Sequence, residues 1–429
     1  MGPWNNIKKV YSSEFFKYSA ALLSSNAISQ LIGIAAYPFI TRIYSPEIFG
    51  EFTFFLSIVG ILAIFPTGRY ELAIILPKSE KKAIALFQLC ILLNGLFFLL
   101  SSFIIVIWKA KIASFFHQES LLALLPFLPF LVLLTGLWQT FNYYFIRQKK
   151  YYNISAYNIT QSIIGSGLKC VLGIKGFLQS GLVWGTLSGQ FFAIIISLIA
   201  GKSQLKEVKK TDKAKIMQTA KTYVNFPKFE LPNELLNTFA GSLPVLLLSF
   251  YFKMGEIGLF SLALTVGFRP VNLFSTSVYQ VLFRKMSERL QNREKLKREL
   301  LLFCKTCIIT ILPFFILFLF ISEWAFEILF GWEWKAAGFY LKCMLPWLFL
   351  VVLVASISFI PDLFFRQKTA MHIEIVYVIL RILALFTGIY FQSFRLAVIL
   401  YCGISALMLF VKLSWYFCLI KRYESSLSL

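Results

Sequence analysis

The chain has 429 residues, of which 58% are hydrophobic and only 14% charged, with a mean hydropathy of +0.74. Soluble domains carry about 25% charged residues, so there are too few here to coat the two or three water-soluble domains that this length would make. The formal charge of +22 invites a nucleic-acid partner, but the basic residues fall in alternate loops and form no single face, which is the mark of membrane topology.

A spanning helix needs about 20 mainly apolar residues. Twelve segments qualify, near 18–43, 48–75, 83–108, 121–146, 154–174, 180–201, 229–252, 257–283, 299–321, 338–361, 371–391 and 395–420. The N-terminal stretch "MGPWNNIKKVYSSEFFK" is polar and basic, and the apolar run after it lacks a small-residue cleavage pattern, so it reads as a retained first helix. Asn26 and Gln30 lie inside that helix. With both termini placed in the cytoplasm, the inner segments hold 28 Lys and Arg residues and the outer loops 7. This bias puts both ends inside.

The second segment contains "FPTGRYELAII", with Arg69 and Glu71 embedded in an apolar run. A charge in mid-membrane costs at least ~2.5–3.5 kcal/mol on insertion scales, so it normally faces a bundle interior or a watery cavity. On a regular helix two residues apart means about 200° around the axis, and the pair would not meet. The Pro66–Gly68 stretch makes a helix break plausible, and a break would let them meet. Two readings stay open: Arg69 lines a cavity, or it snorkels to the inner headgroups while Glu71 contacts a neighbouring helix.

In the sixth segment "GLVWGTLSG" places Gly181, Gly185 and Gly189 four residues apart, a small-residue stripe that marks close helix packing. The sequons at Asn153 and Asn158 fall at an inner boundary and within a span, and read as false positives. The polar stretch 202–228 divides the chain into a first bundle at 1–201 and a second at 229–429. Its lysines suit a solvated linker that fixes topology, with contact to anionic headgroups as the alternative.

Glu230, Asn233, Glu234 and Asn237 open the seventh segment. Arg269 lies about twelve residues into the eighth, before Pro270, which should kink the helix. A cavity-facing role for Arg269 competes with an interhelical pair. Arg381 lies in the eleventh segment, and Lys169, Lys305 and Lys342 lie in others.

The two halves resemble each other. "PFLPFLVLLTGLWQTFNYYFIRQKKYYNISAYNI" matches "MLPWLFLVVLVASISFIPDLFFRQKTAMHIEIVYVI", aligning Arg147-Gln148-Lys149 with Arg366-Gln367-Lys368, and Gly50 pairs with Gly258 in a second match. Six helices per half preserve orientation, so the repeat is parallel. The reading is an all-α polytopic membrane protein of about 12 transmembrane helices in two pseudo-repeated six-helix bundles, an architecture suited to alternating access with a cavity between the halves.

Chemistry other than transport finds little support. Cys304 and Cys307 form a single Cys-x-x-Cys pair in an apolar helix without a second pair, and His117 and His372 are far apart, so no metal or cofactor is expected. No phosphate-cradling Gly-Lys-Ser/Thr loop appears. The outer loops are short, about sixteen residues at most, which argues against an enzyme such as a membrane glycosyltransferase.

Three stretches carry a family resemblance. "RIYSPEIFGEFTFFLSIVGILAIFPTGRYELAIILPKSEKKA", "FPKFELPNELLNTFAGSLPVLLLSFYF" and "IGLFSLALTVGFRPVNLFSTSVYQVLFRKMSE" resemble the first-to-third, seventh and eighth helices of bacterial O-antigen and polysaccharide flippases, within the multidrug, oligosaccharidyl-lipid and polysaccharide exporter superfamily. The resemblance implies a MATE-like fold in the bacterial inner membrane. It implies a substrate of undecaprenyl-diphosphate-linked oligosaccharide, turned from the cytoplasmic to the periplasmic face. It also implies membrane lipids, a glycan polymerase and a chain-length regulator as partners, with no nucleic acid. In such a cavity Arg269, Arg69 and Arg381 would hold the diphosphate, and Asn26, Gln30, Asn233 and Asn237 would bond the sugars. Glu71 and Glu230 complete the candidate set. The rival readings are a drug or cation antiporter of the same superfamily, a lipid II flippase, and a membrane glycan polymerase.

Overall fold

The computed structural model describes residues 14–200 and 213–427. Residues 1–13 and the 202–212 part of the expected linker lie outside the described residues. The described chain is helical: α1 (Glu14–Ile43), α2 (Pro46–Leu62), α3 (Glu80–Phe115), α4 (Leu121–Arg147), α5 (Tyr151–Ile174), α6 (Leu178–Ala200), the short α7 (Lys213–Thr222), α8 (Leu231–Ser249), α9 (Met254–Gln291), α10 (Lys297–Phe330), α11 (Lys335–Ser356), α12 (Gln367–Tyr390) and α13 (Phe394–Leu427). With α7 set aside, these fall on the twelve expected segments. Among the described residues, eight helices are long and apolar enough to cross a membrane. Apart from α7, α2 is the shortest of these helices at 17 residues, and α1, α5 and α8 also stay outside that set. The fold is that of a multi-pass membrane protein.

Local chemistry sets the helix ends. Ser45 caps α2, its hydroxyl accepting from the Ile48 amide, with Pro46 at the first helical position, where its missing N–H costs nothing. The chain divides into two compact units, Met1–Leu246 and Leu247–Leu429, so the division falls inside α8 and leaves the polar start of that helix with the first unit.

Glycines decide how closely the helices of the first unit approach. A Cβ on Gly189 would lie 2.7 Å from the Gly165 Cα, and one on Gly185 would meet Lys169 at 2.5 Å. The stripe on α6 is therefore a contact with α5, as its spacing implies. Gly173 and Gly181 make room for the Tyr44 ring, whose hydroxyl donates to the Lys169 carbonyl at 2.8 Å. Asn158, in one of the sequons, donates to the Asn26 side chain at 2.7 Å.

The second unit packs by the same rule. A Cβ on Gly267 of α9 would strike Leu348 of α11 at 2.8 Å, and one on Gly388 of α12 would strike Ala397 of α13 at 2.3 Å. The helix α9 runs on through Pro270 without a break. Cys304 and Cys307 are buried free thiols within α10.

Candidate functional site

The second segment is not one helix. α2 stops at Leu62, four residues before Pro66, whose ring would clash with that carbonyl in a continuing helix and which has no N–H to bond it. Gly68 and Arg69 follow in the left-handed region, at φ 58° and 62°. For a non-glycine residue this conformation costs about 1–2 kcal/mol. The chain then resumes as a 3₁₀ segment, Tyr70–Ile75.

This break brings together two side chains that a regular helix would separate. Arg69 Nη1 lies 3.4 Å from Glu71 Oε1, and Arg69 Nη2 lies 3.6 Å from Glu234 Oε2 on α8. The Glu71 side chain is fully buried, that of Arg69 is 16% exposed and that of Glu234 is 33% exposed. Neither Glu71 oxygen receives a hydrogen bond of good geometry, although the Thr67 hydroxyl is close by, and Arg69 Nε is also unsatisfied. Tyr143 of α4 stands within the field of all three charges. The Tyr70 hydroxyl donates to the Ala220 carbonyl of α7 at 3.2 Å, and its ring packs with Ala73, Ile74, Leu86, Phe87, Cys90 and Tyr144.

Glu230, Asn233, Glu234 and Asn237 recur at three- and four-residue steps, so they share one face where α8 begins. Glu230, Asn233 and Asn237 are exposed. The first unit thus carries a polar stripe that meets Arg69 at Glu234. Of the sequence candidates, Arg69 and Glu71 meet here, and Glu230, Asn233 and Asn237 share the helix face of Glu234. Glu234 joins the two sets, a role not assigned from sequence. Its i+4 spacing from Glu230 was the available signal.

Two carboxylates thus face Arg69: Glu71, which the left-handed turn folds back onto it, and Glu234, which reaches it from α8. An apolar cleft of about 260 Å³ elsewhere in the first unit, lined by residues such as Ile58, Phe97 and Leu128, holds no charged group and lies apart from these side chains.

The remaining candidates have other surroundings. Asn26 is bonded to Asn158, and the Gln30 Oε1 is buried without a partner. Arg269 is half-buried on α9. The Arg381 guanidinium carbon lies 5.0 Å from the Trp347 ring centre, 4.4 Å from Tyr377 and 4.5 Å from Tyr401, and its Nε donates to Ser405 Oγ at 2.9 Å. Three aromatic faces from α11, α12 and α13 hold this charge, which accounts for its presence in an apolar helix without a ligand.

Comparison with known proteins fits this architecture. The solved structure of a lipid II flippase, MurJ, in an inward closed conformation is similar, with a TM-score of 0.69, 16% identity, 96% of this chain covered and 91% of that chain. An inward-facing multidrug resistance MATE family transporter of the MOP superfamily is similar with a TM-score of 0.67, 12% identity and coverage of 95% and 99%. At these identities the likeness shows the fold alone, which this chain shares with both structures. No curated protein matches the chain by sequence. A family model described as polysaccharide biosynthesis protein matches residues 39–339, from the end of α1 into α11, and by this match the chain belongs to that family.

Proposed function

We propose that the protein is a flippase that turns undecaprenyl-diphosphate-linked oligosaccharide repeat units, of O-antigen, capsule or exopolysaccharide, from the cytoplasmic to the periplasmic leaflet by alternating access. It acts in the bacterial inner membrane with both termini in the cytoplasm. The observation that carries the reading is the polar stripe of α8 joined to Arg69 through Glu234, in a chain of the polysaccharide biosynthesis family with the fold of a lipid II flippase. Polar and ionisable groups at membrane depth are expensive and mark substrate paths. The amides Asn233 and Asn237 supply donors and acceptors for sugar hydroxyls, and Asn26 and Gln30 are offered for the same task.

For Arg69 the ion pairs define the chemistry. A diphosphate offers a guanidinium more acceptor oxygens than either carboxylate does. At 3.4 and 3.6 Å the existing contacts are longer than a charge-assisted hydrogen bond. Diphosphate binding therefore exchanges partners at Arg69, displacing Glu234, the more exposed of the two carboxylates. Arg269, half-buried on a helix the family match covers, is a second candidate cation for the headgroup.

The test is deletion of the gene and analysis of lipid-linked intermediates. Undecaprenyl-linked repeat units accumulating on the inner leaflet, with loss of surface glycan, support the flippase. Normal surface glycan in a clean deletion without a redundant gene overturns it. Loss of drug resistance with intact glycan identifies an antiporter, and accumulated lipid II identifies a peptidoglycan role. Glycan lengthening by the purified protein identifies a polymerase.

A further inference from the structure

We propose that Arg147, with Glu80 as its counter-charge, is a positioning residue for the Arg69–Glu71–Glu234 group and acts on it through the 3₁₀ segment. The proposal rests on the reading of that group as part of the substrate path.

Arg147 is the last residue of α4 and is repeated in the second half as Arg366. Its side chain is only 13% exposed. Nη1 donates to three main-chain carbonyls, those of Ile74 at 3.2 Å, Ile75 at 3.3 Å and Pro77 at 2.8 Å. Nε and Nη2 both donate to Glu80 Oε2, at 3.0 and 2.9 Å, and Gln148 Nε2 donates to the other oxygen, Oε1, at 2.9 Å. One planar fork thus gathers the carbonyls at the end of the 3₁₀ segment and the first turn of α3.

A helical segment leaves its last carbonyls without partners of its own. Here the last two, those of Ile74 and Ile75, go to Arg147, together with the Pro77 carbonyl just beyond the segment. In a 3₁₀ segment residues three apart eclipse each other, so Ile74 lies directly below Glu71 in the same column. Glu71 is met by its chain neighbours, the Thr67 hydroxyl, its own amide and Arg69, and so its aim follows the local backbone. Its direction comes from the backbone, held above by the left-handed Gly68–Arg69 turn and below by Arg147.

A lysine could not replace this. Its ammonium is a point charge with three donors, whereas the guanidinium presents five in a fixed plane. The repeat offers a comparison: among the described residues no side-chain hydrogen bond or ion pair is formed by Arg366, and no 3₁₀ segment with a buried carboxylate precedes it. The clamp is therefore particular to the first unit and does not belong to the Arg-Gln-Lys motif as such.

The test is a double-mutant cycle in the full-length protein, with surface glycan export by a complemented deletion strain as the readout. R147K and E71Q are each expected to lower export about tenfold, and the double variant no further than the worse single one, because both act on one element. Losses that multiply would overturn the proposal. Hydrogen exchange of the purified protein in detergent supplies a readout independent of transport: amides 72–78 should exchange about tenfold faster in R147K, with those of α9 unmoved. Unchanged exchange at 72–78 would also overturn it. If E71Q exports normally, the reading of the site falls, and the exchange result still decides whether Arg147 holds the segment.

Discussion

Each unit keeps an arginine inside an apolar environment, and the two do so by different means. Arg69 sits between two carboxylates at 3.4 and 3.6 Å. Arg381 lies among the rings of Trp347, Tyr377 and Tyr401 with one hydroxyl acceptor. A carboxylate cancels charge and can be exchanged for another anion; an aromatic face solvates charge and leaves it in place. The first arrangement suits a site that changes partners during a transport cycle, and the second suits a fixed strut between three helices.

Substitutions can break or sharpen this contrast. The largest effect is expected from R69A, which strands Glu71 as an uncompensated buried carboxylate. Removing one partner of a buried ion pair costs about 3–5 kcal/mol, read as a drop of the thermal midpoint in detergent, together with loss of glycan export. Glu234 is partly exposed, so E234Q should cost much less stability than R69A while still impairing export. Equal stability losses would mean that the two carboxylates are equivalent.

R381L comes next. Losing a desolvated cation–π cluster is worth about 2 kcal/mol, and export by the folded protein should stay near the parent level. Abolished export at unchanged stability would place Arg381 in the substrate path. Beside the cage, Lys412 pairs with Glu374, whose side chain is 52% exposed. E374Q should therefore cost less than about 1 kcal/mol. The smallest change belongs to E288Q, which removes the exposed i,i+4 pair with Arg284 and should shift stability by about 0.3–0.5 kcal/mol. It sets the floor against which the buried arginines are judged.

Much of the helical framework was legible in the sequence, because hydropathy over about 20 residues is a local property. The break at Pro66–Gly68 was legible too, since proline and glycine act on their own backbone. With that break, the meeting of Arg69 and Glu71 followed as one of two open readings. The part played by Glu234 was not legible, because it depends on how α8 packs against the 3₁₀ segment, more than 150 positions away in the chain. The aromatic cage was half visible: Tyr377 and Arg381 are four apart on one helix face, as are Tyr401 and Ser405, but the convergence of three helices was not. The Arg147 clamp was hidden for another reason. Its acceptors are main-chain carbonyls, which every residue carries and no sequence pattern marks.

By itself the sequence determined that this is a helical membrane protein, roughly where its helices run, and which charges must be accounted for inside the membrane. The tertiary structure alone decided how each charge is accounted for. Burying apolar surface depends on composition within one segment, whereas the cost of a buried charge is relieved only by specific atoms within a few ångströms, and those come from distant parts of the chain.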